Sequence, residues 1–335
     1  MPPAILATLL AQDTAKATLM RALERARVHH AYLFDGPEGV GKELAAPGLA
    51  QALVCERRPE SGVGADRACG ECSACTRVAI RPGSARPLHP DVVILERGLY
   101  SPEQIGRRTP ETQDLSIDQI RTLVLARAAF PPHEGRARVF IVRRAEELST
   151  GGANALLKTL EEPGDRTHFI LLSARADSLL PTIRSRTQRV RFGRLPDAIV
   201  LQLLTLGGTP AAQAAAVSRL AHGSMEEAAM LADPEATAER EAFVTKALVA
   251  LETKGLGRIL EVAEDAKKQK DALDLHLLAL AHRLAEDACR DVRAGSSGVS
   301  AANRYQLVLG ALGQLRGNAA AQLVAESLLI RMRGA

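Results

Sequence analysis

The segment Gly36-Pro37-Glu38-Gly39-Val40-Gly41-Lys42-Glu43 constrains this chain most: it fits the phosphate-binding pattern G-x-x-x-x-G-K and then departs from it. In such a loop the glycines let backbone N–H groups close around phosphate oxygens and the lysine adds positive charge. A following Ser or Thr supplies the hydroxyl that ligates Mg²⁺. Glu43 stands in that last place. A carboxylate at the mouth of a phosphate cradle repels phosphate unless a cation lies between them. The flanks suit the motif: residues 31–34 form a short apolar run ending at Asp35-Gly36, and residues 44–54 are apolar enough for the helix that should follow. Pro47 falls in the second turn of that helix, removes a backbone donor and predicts a kink or a loosening. An ordinary Gly-rich turn is the competing reading. The segment thus points to a nucleotide fold while questioning nucleotide hydrolysis.

A chain of 335 residues has material for two or three domains. No stretch of about 18 uncharged apolar residues occurs, and Met1-Pro2-Pro3 does not begin a basic region followed by an apolar core. A cytoplasmic, soluble protein with no membrane role is expected. A net charge of +4 permits nucleic-acid proximity without demonstrating it.

Cys55, Cys69, Cys72 and Cys75 are spaced C-x13-C-x2-C-x2-C, which is a metal pattern. Disulfides are disfavoured in the cytoplasm, whereas four thiolates in a Gly- and Pro-containing insertion at 55–80 can converge tetrahedrally on Zn²⁺. Metal binding would supply the folding free energy that the polar loop 60–66 lacks. An iron–sulfur ligand run and free thiols remain alternatives, although the C-x3-C-P continuation of a ferredoxin motif is absent. Cys289, with Leu278, His282 and Ala285 at preceding helical turns, reads as a packed thiol.

Further along, residues 91–96 read as a buried strand after a Pro-rich connector at 82–90. Ser116-Ile117-Asp118-Gln119 is a capping box that opens a helix with apolar positions Ile120, Leu123, Val124 and Ala128. Strands at 138–142, 168–172 and 190–192, with a helix at 153–160, complete an alternation that predicts a three-layer α/β domain with a parallel sheet. Beyond Pro196 the pattern is helical throughout: short helices at 198–206, 211–221 and 224–231, longer ones after 236, and a flexible joint at 295–298.

The third strand ends in a second departure. A working P-loop ATPase of this kind places Asp-Glu there, the Asp orienting the Mg²⁺ shell and the Glu activating water. This chain has Arg143-Arg144, and an arginine can neither act as a base nor hold a cation. Glu146 and Glu147 follow two or more residues later and are weak substitutes.

The run Asn154-Ala155-Leu156-Leu157-Lys158-Thr159-Leu160-Glu161-Glu162-Pro163 resembles the bacterial clamp-loader subunits of DNA polymerase III. So do His30-Ala31-Tyr32-Leu33-Phe34, the four-cysteine insertion, His89-Pro90-Asp91 and Ser185-Arg186-Thr187. The resemblance covers nearly the whole chain and implies an AAA+ P-loop domain over 1–193, a small helical lid over 194–236 and a helical collar domain over 237–335. Within that family the gamma/tau subunits keep the Thr and the Asp-Glu pair and hydrolyse ATP, whereas the delta prime branch, which this chain is most similar to, lets them decay. By resemblance Gly36, Gly39, Gly41, Lys42 and Glu43 form a degenerate nucleotide loop in which ATP binding in cis is doubtful, and Arg143 and Arg144 a degenerate acidic pair. Arg186 would be an arginine finger acting in trans on a gamma/tau ATP site. Thr187 replaces the family's usual Cys beside it, and Glu226, in Gly223-Ser224-Met225-Glu226, replaces an arginine that would sense nucleotide. The implied partners are gamma/tau and delta, with the sliding clamp and primed DNA reached through the complex. A gamma/tau-like ATPase with an unconventional site is the alternative, and Arg186 could also be a solvated helix end among Arg184, Arg189 and Arg191.

Overall fold

Five parallel strands, β1 (Ala31–Asp35), β2 (Val92–Leu95), β3 (Arg138–Val142), β4 (Thr167–Ser173) and β5 (Gln188–Arg191), form one sheet in the order β2-β3-β4-β1-β5. The structure is a computed structural model and describes residues 4–59, 62, 68–80, 84–107, 114–134, 136–269, 272–316 and 319–334. Each strand foreseen in the sequence is present. The polar loop read at 60–66 lies, apart from 62, outside the described residues.

The pleat explains why these strands are apolar on both faces. In β1, Tyr32 and Phe34 enter one core with Leu19, Leu49, Ile141 and Ile170, while Ala31 and Leu33 enter a second with Ile120, Phe140, Leu156 and Leu171. A sheet whose two faces are both covered by helices needs such runs. Aromatic pairs reinforce each side, Phe140 with Phe169 at 5.2 Å between ring centroids and Phe34 with Phe192 at 5.1 Å.

Three local expectations are corrected. The helix Lys42–Val54 runs without interruption through Pro47; the lost bond concerns only its first turns, and the segment is buried along nearly its whole length. Ser116 does cap by accepting from Gln119 N–H, but the Gln119 side chain donates to the Glu96 carbonyl at 3.2 Å instead of closing the reciprocal half of the box. The helix it opens passes from α (Ile117–Gln119) through a π-helical stretch (Ile120–Leu125) back to α (Ala126–Ala128). Cys289 is exposed, on the solvent side of the helix Leu273–Arg293, so it is not a packed thiol.

The chain divides into two compact units, one of Met1–Leu203 with Ala221–Glu227 and one of Leu204–Leu220 with Ala228–Ala335. The second is helical, with long helices Pro234–Glu252, Gly257–Lys268, Leu273–Arg293, Val299–Arg316 and Ala321–Arg333. Leu277, Leu280, Val308 and Leu328 lie in its core. There His276 is 1% exposed and stacks on Phe243 at 4.9 Å, with no hydrogen-bond partner for Nδ1. Burial lowers its pKa below the ordinary histidine value of 6.5, and Arg240 lowers it further while Glu239 and Asp274 oppose.

One buried ion pair anchors the edge of the sheet. Asp91, 1% exposed, accepts from His133 N–H at 2.7 Å, Glu134 N–H at 2.8 Å and the Arg138 guanidinium at 3.1 Å, while its own N–H donates to His89 Nδ1 at 3.1 Å. His89-Pro90-Asp91 is therefore a structural turn that locks β2 to the approach of β3. Removing one partner strands a buried charge, so Asp91→Ala is expected to lower unfolding free energy by about 3–5 kcal/mol in a denaturant melt. In the helical unit, unfolding frees His276 to take up a proton at its ordinary pKa. Stability is then level above about pH 6.5 and falls as the pH drops below it. His276→Phe is expected to flatten that acid limb in a pH series of thermal melts.

Candidate functional site

All five strands run the same way, so the segments after β1, β2, β3 and β4 meet at the carboxyl edge of the sheet, where open α/β sheets bind ligands. The phosphate loop follows β1 there, and Gly41, with φ 104, provides the left-handed turn that starts the helix Lys42–Val54. Lys42 is 6% exposed, and its ammonium donates to the carbonyls of Gly36 and Pro37. Burial lowers its pKa while Glu38, Glu146, Glu43 and Asp35 resist the shift.

Glu43 and Arg143, distant in sequence, meet here. Arg143 Nε lies 3.6 Å from Glu43 Oε2, and its Nη1 donates to Glu96 at 2.9 Å. Arg144 reaches Glu38 at 3.7 Å, Glu226 at 3.8 Å and Glu147 at 3.9 Å. The segment carrying Glu226 rests on the loop: Met225 N–H donates to Gly39 O at 2.9 Å, and a Cβ on Gly39 would lie 2.4 Å from Ser224 Oγ. Burial, then the Glu38 carboxylate, holds Glu226 above the usual carboxylate range. The result is a cavity of about 480 Å³ lined by five carboxylates, those of Glu38, Glu43, Glu96, Glu146 and Glu226, with Lys42 and Arg144 as its cations. Glu146 turns one oxygen to the Ala174 N–H at 3.1 Å.

Arg186 lies elsewhere. It sits in the turn before β5 and borders a groove with His29 and His30, which precede β1, so it occupies the amino edge of the sheet. Its guanidinium pairs with Glu161 at 2.5 Å and donates to Thr182 O at 3.0 Å, with its side chain 34% exposed. Thr187 Oγ1 donates to Ile183 O at 3.1 Å, closing the short helix Pro181–Arg184. Arg184 and Arg189 are engaged with Asp177 and Asp35.

The four cysteines converge, with all sulfurs within 4.8 Å of one another. The Cys69–Cys75 and Cys55–Cys72 separations are 3.8 and 4.0 Å. Tetrahedral thiolates at about 2.3 Å from Zn²⁺ have an S···S edge of about 3.8 Å, so the donor set fits such an ion. Backbone N–H groups point at the sulfurs: Cys69 N–H at Cys55, Cys72 N–H at Cys69 and Cys75 N–H at Cys72. Burial pushes the Cys55 and Cys75 thiols up; at Cys69 the N–H bonds of Glu71 and Cys72 outweigh burial and bring it down to about 7. Arg136 donates to the carbonyls of Cys55 and Arg58, and Arg77 pairs with Glu134, so the insertion is tied to the segment entering β3.

The sequence match to known proteins covers most of the α/β unit. Residues 11–196 match the family described as DNA polymerase III, delta subunit. The chain belongs to that family. It is 38% identical over 162 residues to the DNA polymerase III subunit delta' of Pseudomonas aeruginosa, covering 48% of this chain and 42% of that one. To the gamma/tau subunit of Mycobacterium bovis it is 37% identical over 203 residues, 60% of this chain and 31% of that one. These matches span only part of each relative's length. A DNA polymerase III gamma subunit-related protein of Thermotoga maritima has a similar fold, with TM-score 0.50, 19% identity and coverage of 96% and 99% of the two chains. The architecture read from the sequence, a parallel-sheet α/β domain with a phosphate-loop motif and a four-cysteine insertion followed by helices, is the one observed in this delta-subunit family member.

The fold brings together Gly36, Gly39, Gly41, Lys42, Glu43, Arg143, Arg144 and Glu226 as one site, and the four cysteines as another, and leaves Arg186 apart. Sequence reading missed Glu38 and Glu96. Glu96 is the first residue after β2, and the convergence of strand ends was the signal that could have found it. One equivalent of zinc per chain is expected by elemental analysis. Cys75→Ser should lose it and lower the stability of the α/β unit, since metal binding free energy in such sites is folding free energy of about 10–16 kcal/mol in isolated peptides.

Proposed function

We propose that this chain is a delta-prime-like subunit of a DNA polymerase III clamp loader. It hydrolyses no ATP itself and donates Arg186 to the ATP site of a neighbouring gamma/tau subunit. The observation that carries this reading is the separation of Arg186 from its own phosphate loop. The loop lies at the carboxyl edge of β1 and Arg186 at the amino edge, a strand of five residues or about 16 Å away. A finger so placed serves a site on another chain.

At the loop itself the chemistry of hydrolysis is missing. Glu43 offers no hydroxyl ligand, Arg143 and Arg144 offer neither base nor metal-orienting carboxylate, and Glu226 adds negative charge where phosphate charge would gather. Across an interface, an arginine neutralises the charge that develops on a transferring γ-phosphoryl group. In this reading residues 1–193 are the AAA+ body, 194–236 the lid and 237–335 the part that joins gamma/tau and delta. Zn²⁺ on the four cysteines is structural. The complex loads the sliding clamp onto primed DNA in the cytoplasm. Among the described residues no helix is long and apolar enough to cross a membrane.

In a complex reconstituted with gamma/tau and delta, Arg186→Ala is expected to leave assembly intact and to cut DNA- and clamp-stimulated hydrolysis at the receiving site by on the order of 10³-fold or more. Unchanged hydrolysis removes the finger. Steady-state hydrolysis by the isolated chain, abolished by Lys42→Ala, would favour the gamma/tau-like ATPase instead.

A further inference from the structure

Two departures from the working P-loop pattern face each other across the site. Glu43 occupies the hydroxyl position of the loop and Arg143 the first acidic position after β3, and their charged groups lie 3.6 Å apart. The same guanidinium is bonded to Glu96 at 2.9 Å, and the Arg143 side chain is 14% exposed, so it is held in the wall of the site. A magnesium–nucleotide does not fit this residue set. The ligating hydroxyl and the metal-orienting carboxylate are both absent, Lys42 is spent on loop carbonyls, and five carboxylates line the space.

Either change alone is unfavourable. Glu43 opposite the usual aspartate would crowd three carboxylates, at 43, 96 and 143, without the guanidinium that lies between two of them here. Arg143 opposite the usual threonine would keep Glu96 but lose its second carboxylate. Together they are neutral to each other.

We propose that Glu43 and Arg143 are one compensated exchange: the Arg143 guanidinium supplies, between Glu43 and Glu96, the positive charge that a divalent cation supplies in a working loop. The loop is thereby held to β2 and β3 without metal or nucleotide. Arg144 does the same for Glu38 and Glu226, which keeps the 221–227 segment seated on Gly39.

The exchange rests on reading the loop as non-hydrolysing, and separate readouts test the two. In the full-length chain, thermal midpoints are measured for Glu43→Gln, Arg143→Gln and the double variant. Glu43→Gln is expected to lower the midpoint by up to about 2–4 °C and Arg143→Gln by more. The double variant should fall by clearly less than the two shifts together, because each single change already loses the Glu43–Arg143 attraction and the double variant loses it only once. MgCl2 with ATP is expected to leave the wild-type midpoint unchanged, whereas MgCl2 raises that of Arg143→Asp, in which a carboxylate rejoins Glu43 and Glu96. Should Arg143→Gln fail to fold, Arg143→Lys, which keeps the charge, is expected to fold and to retain its coupling to Glu43. Additive shifts, a magnesium-independent Arg143→Asp, or a wild-type midpoint raised by MgCl2 with ATP overturns the exchange. Hydrolysis of ATP by the isolated wild type would instead remove the functional reading, whatever the midpoints show.

Discussion

Parallel pairing of β1 on both sides, with β4 through Ala31–Asp35 and with β5 through Tyr32–Asp35, is the constraint on which the rest depends. A strand hydrogen-bonded along both edges and buried on both faces cannot slip in register without turning Tyr32 and Phe34 out of one core and Leu33 out of the other. That fixed register decides which loops share an edge. It puts the glycine-rich turn beside the ends of β3 and β4, and it puts the turn containing Arg186 beside the start of β1, at the far end.

Charge does different work in the two places. At the carboxyl edge, acids and arginines close on one another, Arg143 between Glu43 and Glu96, and Arg144 among Glu38, Glu147 and Glu226. At the amino edge a single guanidinium, tethered by Glu161, borders an open groove. The first arrangement satisfies its charges internally and the second leaves a cation near solvent. The two edges thus differ in whether their charged groups are closed on one another or left beside an open groove.

Much of this was legible in the sequence. Short apolar runs located the strands and period-3.6 patterns most helices, because burial on both sheet faces leaves few alternatives. The cysteine spacing announced a convergence that the sulfurs display. Three features were out of reach for local reasoning. Pro47 reads as a kink or a loosening because propensity ignores the packing that holds the helix Lys42–Val54 in place. Gln119 reads as half of a capping box because the competing acceptor, Glu96 O, belongs to another strand end. Glu43 and Arg143 each read as damage; only the crossover connections that bring them within 3.6 Å show that they answer each other.

Gly39 carries a wider lesson. Its missing side chain is what allows Ser224 and Glu226 to lie against the loop, since a methyl group there would meet Glu226 N at 2.5 Å. A glycine of the kind that admits phosphate oxygens here admits a piece of the protein's own chain. Packing by itself can therefore account for a letter of a nucleotide motif. The written signature of a binding loop and its occupancy are separate properties, connected only by what else sits at positions such as 43 and 143.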